Sequence, residues 1–149
     1  MSGSVVADSA CLIALERIDA LELLSALFGD VMVPPAVDYE FGVARPWLKV
    51  NAPTDRRLVV SLKLLVDDGE AEAIALASER ASLIILDDRQ ARRVAQNMGL
   101  RILGTLGCLL KAKAAGLIGA VKPFIEKLED EGFYLAEELK AEALRLAGE

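Results

Sequence analysis

The sequence predicts an α/β fold in three layers (α/β/α), with a central parallel sheet of about four to five strands covered by helices on both faces. Short segments rich in Val, Ile and Leu alternate along the chain with longer segments whose apolar residues recur at helical spacing. This alternation is typical of strand–helix–strand units, which build parallel sheets buried on both faces. The 149 residues suit one domain, 1–149, with the helices from about residue 119 as an extension of it.

The first half of the chain contains two clear strands and one irregular stretch. We expect a strand at SVVADS, one long helix over ACLIALERIDALELLSALFG that ends at Gly29, and a strand at DVMVPP. Pro35 suits the first turn of a helix in PAVDYEFG. GVARPWLKVNAPTDRR is expected to be a loop with a short strand at WLKV. In RRLVVSLKLLVDDG the spacing of Leu58, Leu62 and Leu65 favours a helix over a strand.

The second half of the chain alternates more regularly. GEAEAIALASERA predicts a helix, SLIILD a strand, and DRQARRVAQNMG a helix that ends at Gly99. LRILG predicts another strand, and TLGCLLKAKAAG a helix that ends at Gly116, before two last helices at VKPFIEKLEDEG and AEELKAEALRLAG. Glu72 and Glu79 are expected on the solvated side of their helix. We expect core packing for the aromatic side chains Trp47, Phe124, Phe133 and Tyr134.

The composition excludes several kinds of chemistry. The chain has no histidine, which removes Ser-His-Asp and Cys-His catalysis and histidine zinc sites. Cys11 and Cys108 are far apart, so we interpret them as small core residues of a protein in the reducing cytoplasm. No apolar run approaches the roughly 20 residues that cross a bilayer, and we expect no signal peptide. The net charge of −6 disfavours nonspecific nucleic-acid binding, unless a local basic patch exists.

Carboxylates are expected to converge at one end of the sheet. Asp8 ends the first strand, Asp87 and Asp88 end the strand LIIL, and ligands of parallel sheets bind at the carboxyl ends of strands. Glu70 and Glu40 each share a helix face with apolar residues. A carboxylate on such a face is costly unless it is paired, hydrogen-bonded or bound to a cation.

Each of these carboxylates alone also has a purely structural explanation. Asp8 and Asp88 could be helix N-caps, and Glu70 could form a capping box with Asp67. Glu40 could be an ordinary, partly exposed glutamate. The hypothesis of a site therefore depends on the convergence of these positions.

An acidic cluster of this kind suits Mg²⁺ or Mn²⁺, which prefer oxygen ligands and relieve the repulsion between carboxylates. Carboxylate-bound Mg²⁺ activates water and neutralises charge on a phosphoryl oxygen, which points to phosphodiester chemistry. Arg89, Arg92 and Arg93 have i, i+3, i+4 spacing, so we expect one exposed stripe that binds phosphates beside the acids. The alternative is a solubilising helix face.

Five segments together resemble the PIN-domain family. They are, in chain order, VVADSACLIAL, VPPAVDYEF, DDGEAEAIALA, LIILDDRQARRVA and LGTLGCLLKAKAAGLI. They are most similar to the VapC-like toxin ribonucleases with a GExEAIxLA helix and an IxDDxxAR strand end. The resemblance implies a PIN-like fold, a Mg²⁺- or Mn²⁺-dependent ribonuclease site, a homodimer, and an antitoxin partner that covers the site.

The resemblance also implies roles for individual residues. Carried over residue by residue, it places the catalytic acids at Asp8, Glu40, Glu70 and Asp88. The same four, together with Asp87, would be the metal ligands. Ser9 matches the hydroxyl residue after the first aspartate, and Thr105 in the GTLG turn would orient water or phosphate. Many PIN domains have aspartate where this chain has Glu70, so the sequence departs from the pattern there.

We therefore predict a metal-dependent endoribonuclease that hydrolyses RNA phosphodiester bonds, the toxin of a toxin–antitoxin pair. The main alternative is a catalytically weak or inactive PIN-like module that binds nucleic acid or a partner protein. A third hypothesis is a phosphoacceptor domain of the receiver type. That class expects a lysine at the end of the last strand, where this chain has LRILGT.

Overall fold

The computed structural model describes residues 4–149 and contains a five-stranded, all-parallel sheet. The strands are β1 (Val5–Ala7), β2 (Val31–Val33), β3 (Leu48–Val50), β4 (Leu83–Ile85) and β5 (Ile102–Leu103). Their order across the sheet is β3-β2-β1-β4-β5, so β1 lies at the centre. The predicted fold class is confirmed, including the short strand in WLKV.

Helices connect and cover these strands. They are α1 (Ser9–Arg17), α2 (Glu22–Phe28), α3 (Pro35–Phe41), α4 (Arg56–Leu62), α5 (Asp68–Arg80), α6 (Arg89–Asn97), α7 (Thr105–Ala114), α8 (Lys122–Asp130) and α9 (Glu137–Ala147). Pro35 begins α3 as predicted, and Gly29 ends α2 with a positive φ of 72°. Among residues 4–149, no helix has the length and apolar character needed to cross a membrane.

Each face of the sheet has its own hydrophobic core. Val5 and Ala7 of β1 pack with apolar residues of α1, α2, α7, α8 and α9. Val6 points the other way and packs with residues of α4, α5 and α6. Because successive side chains of a strand point to opposite faces, a short, fully apolar strand supplies both cores and specifies three layers.

The single long helix predicted between the first two strands is wrong, because the chain forms α1 and α2 with a turn between them. Asp19 adopts the left-handed conformation, with φ 57°. The Ala20 N–H donates to the Leu15 carbonyl at 2.8 Å, and the Asp19 N–H donates to the Glu16 carbonyl at 3.1 Å. These two bonds form a Schellman motif, which satisfies the last carbonyls of α1 without the glycine that usually marks such an end.

Two smaller expectations also differ from the structure. The helix predicted around RRLVVSLKLLVDDG ends at Leu62, so Leu65 is exposed instead of facing the core. Tyr134 is 88% exposed and does not pack in the core, because the preceding Phe133 takes the inward position against it. Trp47 is buried as expected, and both cysteines are buried free thiols.

The end of α5 provides a test of backbone strain. Ala81 follows the helix with φ 51°, and the Ser82 N–H donates to the Ala77 carbonyl in a second Schellman motif. A Cβ in this conformation costs about 1 kcal/mol, which glycine avoids. We expect Ala81→Gly to raise the free energy of unfolding by about 0.5–1 kcal/mol, measured by urea denaturation.

Ala115 is the matched control, because it ends α7 with an ordinary φ of −83°. Ala115→Gly should lower the free energy of unfolding, since glycine there adds only conformational entropy to the unfolded chain. Changes of the same sign in both variants would contradict the explanation by backbone strain.

Candidate active site

Asp8, directly after the central strand β1, is the most unusual side chain of the structure. It is only 4% exposed, and its Oδ1 is the one buried side-chain polar atom among the described residues without a hydrogen-bond partner. Asp8 occupies the N-cap position of α1, yet its side chain makes no capping bond. The alternative in which this carboxylate serves as a helix cap therefore fails, and a buried acceptor without a partner needs another explanation.

The surroundings of Asp8 disfavour its charged form. Burial raises the pKa of Asp8 from 3.8 to about 7, and the backbone N–H of Ser9 offsets only part of this effect. The negative charges of Glu70, Asp67 and Glu40 raise the pKa further. Such a site favours either a proton or a cation on the carboxylate.

Helix α3 brings Glu40 to this position. The chain leaves β2 through Pro34 and Pro35, and α3 then packs against α1 and α5. The buried Ser9 hydroxyl donates a hydrogen bond to Glu40 Oε1. The structure thus brings together Asp8, Ser9 and Glu40, although 31 positions separate Ser9 from Glu40 in sequence.

The first turn of α5 supplies two more carboxylates. Asp67 Oδ1 accepts from the Glu70 N–H at 2.8 Å, and Glu70 Oε1 accepts from the Asp67 N–H at 3.2 Å. This is the capping box that the sequence offered as an alternative, and it places Glu70 among the acids as well. Burial raises the pKa of Glu70, and the charges of Asp67, Asp88 and Glu40 raise it further.

Asp67 is an acid of the cluster that sequence analysis treated only as a helix cap. Its charge raises the pKa values of both Asp8 and Glu70. The signal was present in the Asp-x-x-Glu spacing, because a capping box forces its two carboxylates to be neighbours.

The two aspartates after β4 have different surroundings. Asp88 Oδ2 accepts from the Ala91 N–H at 2.9 Å and caps α6, while its charge also acts on Glu70. Asp87 is tied to Thr105, whose N–H donates to Oδ1 at 2.9 Å and whose hydroxyl donates to Oδ2 at 2.5 Å. Asp88 therefore belongs electrostatically with Glu70, and Asp87 with the start of α7.

The expectation of a fully exposed stripe of three arginines is wrong for Arg92. Its Nη1 donates to the Leu86 carbonyl at 3.1 Å, and the side chain is half-buried. A Cβ at Gly104 would lie 2.8 Å from that nitrogen and 3.0 Å from Asp87 Oδ1, so the glycine makes room for both groups. Arg89 and Arg93 are exposed as predicted.

The prediction of a solvated Glu72 is also wrong, since this residue is only 8% exposed. Its Oε1 accepts from the Ala36 N–H at 3.0 Å, and its Oε2 lies 3.8 Å from Arg56. Pro34, the N-cap of α3, has no oxygen-bearing side chain, so Glu72 satisfies an N–H that α3 leaves unpaired. Glu79 is exposed as expected.

Charge interactions therefore connect five carboxylates near the carboxyl end of the sheet: the charges of Glu70, Asp67 and Glu40 act on Asp8, and that of Asp88 acts on Glu70. None of them takes part in an ion pair within the described part of the chain. We call these residues the acidic cluster. An all-oxygen donor set with a buried, unpaired carboxylate oxygen fits a hard divalent cation.

The cluster is not arranged as a finished coordination shell. Over residues 4–149, no three Asp, Glu, His or Cys side chains are grouped closely enough to hold a metal ion. Glu40, Glu70 and Asp88 instead accept hydrogen bonds from Ser9, Asp67 and Ala91. A cation would compete with these bonds for carboxylate oxygens.

A parallel sheet covered by helices, with a buried aspartate directly after its central strand, defines an α/β protein with a carboxylate site. The sequence profile of the PIN domain matches residues 4–149, and the chain belongs to this family. PIN domains are generally nucleases, a class of hydrolases, and typically use divalent metal ions. No curated protein matches the chain. The family membership confirms the resemblance at the level of the PIN domain and removes the receiver hypothesis.

The raised pKa of Asp8 predicts how stability depends on pH. Between pH 4 and 7 the folded protein keeps a proton on Asp8 that the unfolded chain has released. The stabilisation is therefore complete below about pH 4 and is lost as the pH rises through 7. We expect Asp8→Asn to match the wild type near pH 4 and to be more stable at pH 8, by an amount on the order of a few kcal/mol.

Urea unfolding in the presence of a chelator measures this difference. Asp38→Asn is the matched control, because Asp38 is an exposed carboxylate of α3. Because Asp38→Asn leaves Asp8 in place, it should retain the dependence of stability on pH that Asp8 causes. A difference between Asp8→Asn and the wild type that does not change with pH would contradict the assignment of the raised pKa to Asp8.

Proposed function

We propose that this PIN-domain protein is a metal-dependent endoribonuclease that hydrolyses RNA phosphodiester bonds, with Mg²⁺ or Mn²⁺ as its cofactor. The observation that supports the proposal most directly is the buried, unpaired Oδ1 of Asp8, with the negative charges of Glu70, Asp67 and Glu40 nearby. A structural carboxylate would be hydrogen-bonded or exposed, whereas one that binds a cation is left without a protein donor.

The cation-binding residues in this proposal are Asp8, Glu40, Glu70 and Asp88, directly or through water, with Asp87 as an alternate ligand. The bound cation supplies positive charge that lowers the pKa of water and stabilises charge developing on a phosphate oxygen. Ser9 orients the Glu40 carboxylate through its hydrogen bond, and Thr105 holds Asp87 in the same way. Asp8, Glu40, Asp88 and Thr105 lie in the segments that follow β1, β2, β4 and β5, respectively, whereas Glu70 lies in the first turn of α5.

Substrate binding is assigned to the start of α6 and to the hydroxyl residues Ser9 and Thr105. Arg89 and Arg93 are exposed there and would pair with phosphates next to the scissile one. Arg92 uses one N–H on the Leu86 carbonyl and retains others for RNA. In the reaction, water attacks phosphorus, the bond from phosphorus to the leaving oxygen breaks, and a carboxylate of the acidic cluster accepts the proton of the water.

A second candidate function is a PIN-like module that binds nucleic acid or a partner without cutting. This candidate is favoured because Glu40, Glu70 and Asp88 already accept hydrogen bonds within the protein, which hold them in place without a cation. RNA affinity without cleavage in Mn²⁺ would support this function instead.

The cellular role in this proposal is that of the toxin of a toxin–antitoxin pair, acting in the cytoplasm as a homodimer. An antitoxin would bind over the acidic cluster. This part of the proposal is supported by the similarity of the GEAEAIALA and ILDDRQAR segments to the VapC-like subgroup.

We expect Asp8→Asn to lose both Mn²⁺ binding, measured by calorimetry, and RNA cleavage, by about 100-fold or more. The amide keeps the shape of the side chain but removes the charge that a cation needs. Asp38→Asn, on the exposed side of α3, should retain both activities. An unchanged cleavage rate in Asp8→Asn would exclude the acidic cluster as the nuclease site.

The toxin role predicts that induced expression of the wild-type chain arrests bacterial growth, because uncontrolled RNA cleavage stops protein synthesis. Growth curves should show no arrest with Asp8→Asn at equal protein levels, and full arrest with Asp38→Asn. Normal growth with an actively cleaving wild-type enzyme would remove the toxin role and leave the nuclease assignment standing.

A further inference from the structure

An apolar groove lies between α7 and the C-terminal helices, with Asp87 in its lining. Its volume is about 380 Å³, and apolar side chains from β5, α7 and α9 line most of it, among them Leu103, Leu110, Leu139 and Leu146. This size is within the range of small-molecule sites. We call it the α7–α9 groove.

One end of the α7–α9 groove is polar and adjoins the candidate active site. Asp87, Arg92, Gly104 and Thr105 line this end, at the carboxyl ends of β4 and β5. Asp87 is the neighbour in sequence of Asp88, a member of the acidic cluster. One N–H of Arg92 donates to the Leu86 carbonyl, so most of its guanidinium donors remain available.

Tyr134 lines the same groove and is 88% exposed. Tyr39 and Tyr134 are the only aromatic side chains with large exposure within residues 4–149, since the phenylalanines and Trp47 are buried or half-buried. An exposed aromatic ring does not gain the favourable free energy of burial, so core packing does not explain the position of Tyr134. A ring beside an apolar groove is suited to stack on a planar ligand.

We propose that the α7–α9 groove binds an unpaired nucleobase of the RNA strand whose phosphate lies at the acidic cluster. The base stacks on Tyr134 and turns its polar edge toward Arg92 and Asp87. A nucleobase has flat faces and a polar edge, which matches apolar walls, an aromatic ring and one polar end. The inference rests on the proposed function in one respect, that the ligand of this protein is RNA.

Two features favour a base over other occupants. An apolar helix from a partner or a second copy would cover Arg92 and offer no acceptors to the guanidinium N–H groups that do not bond to the Leu86 carbonyl, which is costly. A base in a duplex is already stacked and paired, so only a single-stranded segment can enter the groove. The protein should therefore prefer single-stranded RNA.

The test measures binding without cleavage. A short, fluorescein-labelled single-stranded RNA is titrated with the protein in the presence of a chelator, and fluorescence anisotropy gives the Kd. We expect Tyr134→Ala to raise the Kd about ten-fold, the usual effect of removing one stacking ring. Tyr134→Phe, which keeps the ring, should bind like the wild type. The high exposure of Tyr134 means that neither change disturbs the core, which circular dichroism verifies.

Tyr39→Ala is the matched control, because Tyr39 is 90% exposed and does not line the groove. Its Kd should remain at the wild-type value. The proposal is overturned by an unchanged Kd in Tyr134→Ala, by equal losses in both alanine variants, or by a wild-type protein that does not bind single-stranded RNA. A change in sedimentation of Tyr134→Ala without a change in Kd would also overturn it and assign the groove to contact between copies.

Failure of the nuclease assignment is distinguishable from failure of this inference. Tyr134-dependent binding by a protein that does not cleave in Mn²⁺ supports the groove and rejects the nuclease. Cleavage that persists while Tyr134→Ala binds normally rejects the groove and leaves the nuclease standing.

Discussion

The burial of a negative charge at the end of the central strand is the constraint on which the site depends. The Asp8 N–H still donates to the Ile85 carbonyl at 3.1 Å, which continues the hydrogen bonding of β1 with β4. Because β1 has a strand on each side and helices on both faces, the side chain that follows it is only 4% exposed. An unpaired carboxylate there reduces stability in the absence of a cation, and proteins retain such strain mainly where function requires it.

Three of the four other acids lie at the starts of helices, whereas Glu40 lies near the end of α3. Asp67 and Glu70 form the capping box of α5, and Asp88 caps α6. The N-terminus of a helix carries partial positive charge, which partly offsets the repulsion between these carboxylates. The same carboxylate can therefore cap a helix and belong to the acidic cluster. Helix capping accounts for the positions of Glu70 and Asp88 but not for the buried carboxylate of Asp8. Asp8 is therefore the residue that distinguishes a functional site from a set of helix caps.

The fold was largely predictable because hydrophobic periodicity acts locally. The apolar strands, the helix spacings and the glycines at helix ends indicated the three layers. The predictions that were wrong concern positions where contacts between distant parts of the chain determine the local structure. Asp19 ends α1 without a glycine, and Glu72 is buried because α3 packs over α5 and needs a hydrogen-bond acceptor for Ala36. The strand ends indicated the positions of Asp8, Asp87 and Asp88, whereas the half-burial of Arg92 depended on the space above Gly104.

The net charge of −6 restricts how the chain would hold the RNA that we propose as its ligand. Phosphate contacts dominate the affinity of basic proteins, but here few arginines are exposed near the acidic cluster, and the carboxylates repel phosphate until a cation is bound. Contacts that do not depend on charge must then supply a larger share of the binding free energy. Base stacking is such a contact, and it is insensitive to the sign of the protein's charge. An acidic nuclease therefore has more need of an apolar groove beside its site than a basic one.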